Sequence, residues 1–105
     1  MTDISPQDLK ARLDRHESLV LLDVREDWEV ELCGIAGSLH VPLAELPGRM
    51  AELEPHARVV TICHKGARSL QAAHFLQANG FAGARSLQGG VEAWAVNVDP
   101  AMARY

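Results

Sequence analysis

Cysteine is scarce: Cys33 and Cys63 are the only two in 105 residues. That excludes a disulfide-stapled scaffold. An excess of basic charge is also missing. Ten Lys and Arg against fourteen Asp and Glu leave a net charge of −4, the wrong sign for a general nucleic-acid or membrane-surface binder. Apolar runs such as Leu19–Leu22 fall far short of a membrane span. The opening Met-Thr-Asp-Ile-Ser-Pro has neither a basic stretch nor the apolar core of a signal peptide. What is present is ordinary for a globular chain: 48% hydrophobic and 23% charged residues. The expectation is one domain over residues 1–105, soluble and cytoplasmic in a reducing compartment. The leading question is then what the thiols do.

The chain alternates strand and helix signals. Ser5 suits a helix cap, Pro6 the first helical position and Asp8 the first turn. Leu9 and Leu13 share a face, which predicts a helix to about Arg15. Leu19–Val24 reads as a buried strand ending near Asp23, Glu26–Leu32 as a short helix, and Ser38–Val41 as a short strand. A helix is expected across Leu46–Leu53. Arg58–Ile62 is the clearest strand, rich in β-branched residues. Ser69–Asn79 reads as a helix with Leu70, Ala73, Phe75, Leu76 and Ala78 facing inward, stopped by Gly80. Ala84–Leu87 is a weaker strand, Gly89-Gly90 a turn, and Val91–Val96 a short helix. Asp99–Tyr105 reads as an irregular tail. Such alternation implies βαβ units and an α/β fold with a parallel sheet covered on both faces.

Between the clearest strand and the following helix lies Cys63-His-Lys-Gly-Ala-Arg68. Ligands in open α/β sheets bind beyond the carboxyl ends of the strands. If this loop wraps round, its N–H groups converge on one point, with Gly66 permitting the tight geometry. Inward N–H groups plus a helix N-terminus make an anion cradle, and such a setting favours a nucleophilic thiolate. His64, Lys65 and Arg68 add positive charge to an acidic chain. A lone thiol is more often buried and inert; the Gly, Lys and Arg around this one reverse that preference.

Four segments carry a family resemblance. Leu21-Leu-Asp-Val-Arg25, Ile35-Ala-Gly-Ser-Leu-His-Val-Pro42, Cys63-His-Lys-Gly-Ala-Arg-Ser69 and Gly89-Gly-Val-Glu-Ala-Trp94 resemble the successive signatures of a single-domain rhodanese. They occur in the family's order over nearly the whole chain. The resemblance implies about five parallel strands with helices on both faces, and sulfur transfer through a persulfide on the loop cysteine. A finer similarity lies in Glu29-Val-Glu-Leu-Cys-Gly-Ile35, in Trp94-Ala-Val-Asn-Val-Asp-Pro100 and in Arg104-Tyr105. These segments resemble rhodanese domains of enzymes that activate ubiquitin-like sulfur carriers. Cys33-Gly34-Ile35 stands where most relatives have Gly-His-Ile; that histidine lies outside the loop, so no loss of chemistry is expected.

By this resemblance the Cys63 thiolate attacks the outer sulfur of thiosulfate, sulfite leaves, and cyanide or a thiol then takes the sulfur. Ping-pong kinetics follow. The loop residues His64, Lys65, Gly66, Ala67, Arg68 and Ser69 are expected to surround the substrate. Lys65 binds the sulfonate oxygens. Arg68 either does the same or ties the loop to a nearby acid. His64 is expected to be exposed and accessory. Asp23 and Arg25, matching the family's Asp-x-Arg, read as an internal ion pair that shapes the site. Cys33 reads as packing, His40 as structural, and Trp28 and Trp94 as core or edge packing. Two isolated cysteines without paired-ligand spacing do not make a zinc site, so no metal and no cofactor is expected. The partners implied are a small anionic sulfur donor and a small thiol or cyanide acceptor, or a sulfur-carrier protein.

Two other functions compete. A cysteine phosphatase or arsenate reductase also cradles an oxyanion before a helix. Tyrosine-phosphatase loops, however, place one more residue between Cys and Arg than the four here, and no acid loop stands out to protonate a leaving alcohol. The other rival is a binding module, or a persulfide carrier serving one protein partner.

Overall fold

A computed structural model describes residues 2–105. Its sheet has five parallel strands: β1 Asp3–Ile4, β2 Val20–Asp23, β3 Leu39–His40, β4 Val59–Ile62 and β5 Arg85–Leu87. Their order is β1-β5-β4-β2-β3. The helices are α1 Pro6–Asp14, α2 Asp27–Leu32, α3 Leu46–Arg49, α4 Ala67–Ala78 and α5 Gly90–Asn97. Sequence pattern anticipated most of these elements. β1 is the exception: a two-residue edge strand pairing Asp3 with Ser86 and Ile4 with Leu87, too short to leave a periodic signal.

Alternation along the strands builds the two halves of the core. Leu22, Val59 and Cys63 face one side, packed with Leu46 of α3 and Ala72 and Leu76 of α4. Leu21, Val60 and Ile62 face the other, packed with Leu9 of α1 and Val91 and Trp94 of α5. Ser5 caps α1, its hydroxyl accepting from the Asp8 N–H at 3.1 Å.

Several expectations need correction. α4 begins two residues early, at Ala67, with Gly66 left-handed at its cap (φ 113°). Its buried stripe is Ser69, Ala72, Ala73 and Leu76; Leu70 is 40% exposed and Ala78 lies on the surface. A polar residue, Ser69, occupies the core position that hydrophobicity had given to Leu70. The helix expected over Leu46–Leu53 is four residues long, flanked by 3₁₀ turns at Leu43–Glu45 and Met50–Glu52; Gly48 lowers its helical propensity. Trp28 is 58% exposed, whereas Trp94 is buried.

Adjacent strands β2 and β4 lead in opposite directions, β2 outward to β3 and β4 outward to β5. This divergence opens a crevice at their carboxyl ends, and Cys63 is the first residue past β4.

Candidate active site around Cys63

Strand alternation turns the Cys63 side chain toward α4, where it is 1% exposed. Its surroundings are polar nonetheless. The Gly66 N–H donates to Sγ at 3.0 Å, and the Ser69 hydroxyl lies 3.3 Å from the sulfur. Ser69 is fully buried; its Oγ is 2.7 Å from Ser86 Oγ and reaches the Gly66 carbonyl at 3.2 Å. A hydroxyl pair therefore runs beneath the sulfur. Thr61 anchors it from below, its hydroxyl donating to the Ser69 carbonyl at 2.6 Å.

The loop's shape is imposed by α5. The Val91 and Glu92 N–H groups donate to the Cys63 and His64 carbonyls at 2.9 and 3.0 Å. In a trans peptide the N–H lies opposite the C=O, so these two peptides turn their N–H groups away from α5. The approach is close because Gly90 lacks a side chain. A Cβ there would stand 2.4 Å from both carbonyl oxygens, and the residue's φ of 62° suits glycine. Gly66 is also closely packed: its Cβ would meet the Gly89 nitrogen at 3.3 Å.

Arg68 is not free to grip a substrate. It forms a two-pronged pair with Glu29, Nη1–Oε1 at 2.6 Å and Nη2–Oε2 at 2.7 Å. Glu29 is 3% exposed. The Arg68 hydrogen bonds, working against burial and helped by the Glu26 N–H and the Tyr105 hydroxyl, hold its carboxyl down to about 2. Of the two roles open to Arg68, its side chain takes the tie to an acid.

Arg25 is fully buried. Its Nη2 donates to Asp23 Oδ2 at 2.8 Å and to the Cys33 carbonyl at 2.6 Å. Its Nη1 donates to the Tyr105 hydroxyl at 3.0 Å. Burial opposes its charge, but these hydrogen bonds raise its pKa above the usual value. Asp23 and Arg25 thus form an internal pair beneath α2 and offer no free donor to the loop. Cys33 is half-buried with Sγ 3.7 Å from Arg25 Nη1. His40 Nε2 sits 2.7 Å from the Arg25 carbonyl.

His64, expected to be exposed, is half-buried and stacked on Tyr105, with ring centroids 3.8 Å apart and planes 10° apart. Lys65 projects into solvent, and among the described residues it forms no ion pair. Ala67 is exposed at the start of α4. Beside Arg68 lies a cavity of about 410 Å³ walled by Leu43, Pro47 and Phe75, with Cys63 outside its lining.

Three participants were not read from the sequence as part of the site: Glu29, Ser86 and Tyr105. Glu29 and Tyr105 do lie in segments that carry the finer family resemblance. Ser86 has no comparable signal, being one serine on a short strand. Among the described residues no three His, Cys, Asp or Glu side chains gather as metal ligands, and no helix is long and apolar enough to cross a membrane.

Known proteins match along almost the entire chain. A family model described as a rhodanese-like domain fits residues 5–97. A protein named sulfurtransferase from Allochromatium vinosum is 35% identical over 90% of this chain and 89% of its own length. The adenylyltransferase and sulfurtransferase MOCS3 of Arabidopsis thaliana is 35% identical over 97% of this chain, which spans only 25% of that larger protein. The crystal structure of a rhodanese-related protein from Thermoplasma volcanium superposes with a TM-score of 0.84 at 30% identity, covering 93% of this chain and 94% of the other.

Proposed function

Because the chain belongs to the rhodanese-like family of sulfurtransferases, we propose that it carries a sulfane sulfur on Cys63 between an anionic donor and a nucleophilic acceptor. The Cys63 thiolate attacks the outer sulfur of thiosulfate. A sulfur–sulfur bond forms at Cys63, and the bond to the sulfonate breaks, its electron pair leaving with sulfite. Cyanide or a thiol then attacks the terminal sulfur, and the electron pair of the persulfide bond returns to Cys63.

The observation that carries this reading is the Gly66 N–H directed at Sγ from the amino end of α4. Fixed hydrogen-bond donors that meet developing negative charge are worth roughly 3 kcal/mol where a side-chain donor has been removed, and a backbone N–H plays the same part. From below, the Ser69 hydroxyl oxygen accepts from the Cys63 thiol at 3.3 Å, so the sulfur sits between a backbone donor and a hydroxyl. Lys65, exposed and unpaired among the described residues, is the cation left to meet a sulfonate. Arg68 acts through Glu29, holding the end of the loop rather than the donor. Asp23 and Arg25 brace the strand end behind it.

A protein acceptor is the second reading. It is favoured by the similarity to the sulfurtransferase part of MOCS3. A matrix of donors (thiosulfate, a mercaptopyruvate-type thiol, a protein persulfide) against acceptors (cyanide, a small thiol, a carrier protein) separates the readings. Turnover with thiosulfate and cyanide that vanishes in Cys63→Ala supports the enzyme. Feeble cyanide turnover with rapid transfer to the carrier supports the second reading. Aryl phosphate hydrolysis without sulfur transfer overturns both.

A further inference from the structure

The tail after α5 is irregular in backbone but firmly docked. The Asp99 N–H donates to the Trp94 carbonyl at 2.9 Å, and the Met102 N–H to the Asp99 carbonyl at 3.0 Å. Met102 and Tyr105 pack against the core face shared by α1 and α5. Arg104 pairs with Glu92, Nη2–Oε2 at 2.5 Å. Glu92 is itself the residue whose N–H holds the His64 carbonyl.

Tyr105 then reaches the site by two routes. Its hydroxyl accepts from Arg25 at 3.0 Å and donates to Glu29 Oε2 at 2.8 Å, the same oxygen that takes one prong of Arg68. Its ring lies flat on His64, the residue that follows Cys63. Trp28 meets the Tyr105 ring edge-on, with ring centroids 5.9 Å apart and planes at 76°. One side chain therefore touches the first residue after the cysteine and the acid that clamps the loop's last arginine. Meanwhile Cys63 is 1% exposed, so some part of its surroundings must yield before any reagent larger than an atom or two reaches the sulfur.

The geometry points to Tyr105 as a specificity-determining residue of the Cys63 site: docked on His64 and Glu29, it keeps the loop closed to bulky reagents, and release of the tail admits them. The inference rests on Cys63 being the reacting thiol, and it deepens that reading by naming what restricts its partners. The tail is suited to this role because its hold is local. Two hydrogen bonds to charged groups, the stacked His64 ring, the edge of Trp28 and packing on the rim of one core face keep Tyr105 in place, while the sheet lies behind it. Segments held by a few partly solvated contacts open far more often than the whole molecule unfolds.

The test uses alkylation, which needs no sulfur transfer. Cys63 labelling by iodoacetamide and by a fluorescein maleimide is followed by peptide mapping, so that Cys33 is counted separately. The quantity read is the small-to-bulky rate ratio, relative to free cysteine. In the unaltered protein this ratio should exceed the free-thiol value by about tenfold, the loss expected when a bulky reagent must wait for a charged hydrogen bond to break. Tyr105→Leu should bring it close to the free-thiol value. Tyr105→Phe keeps the stacked ring and should fall between the two.

Arg104→Ala cuts only an exposed anchor of the tail and should lower the ratio in the same direction. It serves as the second variant should Tyr105→Leu fail to fold. Labelling through global unfolding would also carry the ratio toward the free-thiol value, so the global unfolding equilibrium of each variant is measured in urea, and only bulky labelling faster than that route allows counts for the gate. The inference is overturned if the unaltered protein already shows the free-thiol ratio. It is equally overturned if the ratio is the same in the unaltered protein and in the folded Tyr105 or Arg104 variants. If the ratio behaves as expected while thiosulfate places no sulfur on Cys63, the gate stands and the sulfurtransfer reading falls.

Discussion

Arg68 and Glu29 meet side-on, two guanidinium nitrogens on two carboxylate oxygens at 2.6 and 2.7 Å. Glu29 is buried while Arg68 remains about one-third exposed, so the pair stitches the end of the cysteine loop to α2. A buried charge pair adds little net stability against an apolar replacement, but removing one member strands the other. The pair ties the first turn of α4, two residues past Gly66, to α2.

Glu29→Gln should therefore weaken the fold and flatten its acid response. The Glu29 carboxyl titrates at about 2 in the folded protein against a usual 4.5. Its contribution is whole above the usual value and is lost as pH falls through about 2. The difference corresponds to roughly 3 kcal/mol at neutral pH. Urea unfolding at neutral pH and near pH 3 measures it. The unaltered protein should lose more stability between the two than the variant does; identical losses would show that the pair contributes nothing.

Tyr105 is the sole tyrosine, so its ionisation can be followed directly by phenolate absorbance. Burial, reinforced by the hydrogen bond to Glu29 and opposed by Arg25, pushes its hydroxyl up to about 12 from 10. The unfolded chain ionises first, so this contribution is full below the ordinary value and disappears as pH rises through about 12. A midpoint near 12 in the native protein is expected. A midpoint near 10 would mean that the tail is undocked in solution.

Gly90→Ala should damage the loop more than any neighbouring glycine change. Its φ of 62° alone costs an L-residue about 1–2 kcal/mol. The added Cβ also collides with the Cys63 and His64 carbonyls. A lower melting temperature and a fall in sulfur transfer on the order of a hundredfold are expected, as for small displacements of reacting groups. Gly48→Ala, with open space around the new methyl, is the matched control and should leave activity unaltered.

Four of the five strands, the strand–loop–helix around Cys63 and the buried Asp23–Arg25 pair were legible because local signals state them: β-branched runs, a glycine in the loop before a helix, an Asp-x-Arg at a strand end. The rest depends on contacts between distant segments. Glu29 and Arg68 are 39 residues apart and Tyr105 and Glu29 are 76 apart. No periodicity connects such positions. The tail is irregular as its sequence suggests, but its docking was hidden for the same reason: its order comes from Glu92, Glu29, Arg25 and His64 rather than from itself. Leu70 misled because a helix face is set by the whole stripe, and Ser69 won the core position through its hydrogen bonds to Gly66 and Ser86.

The most direct test is the mass of Cys63 after thiosulfate. Peptide mapping of the treated protein should find one added sulfur atom on the Cys63 peptide, none on the Cys33 peptide, and none at all in Cys63→Ala. Cyanide or a thiol should then remove it. Sulfur found on Cys33, or an unmodified Cys63 after full exposure to thiosulfate and to a protein persulfide, would contradict the account.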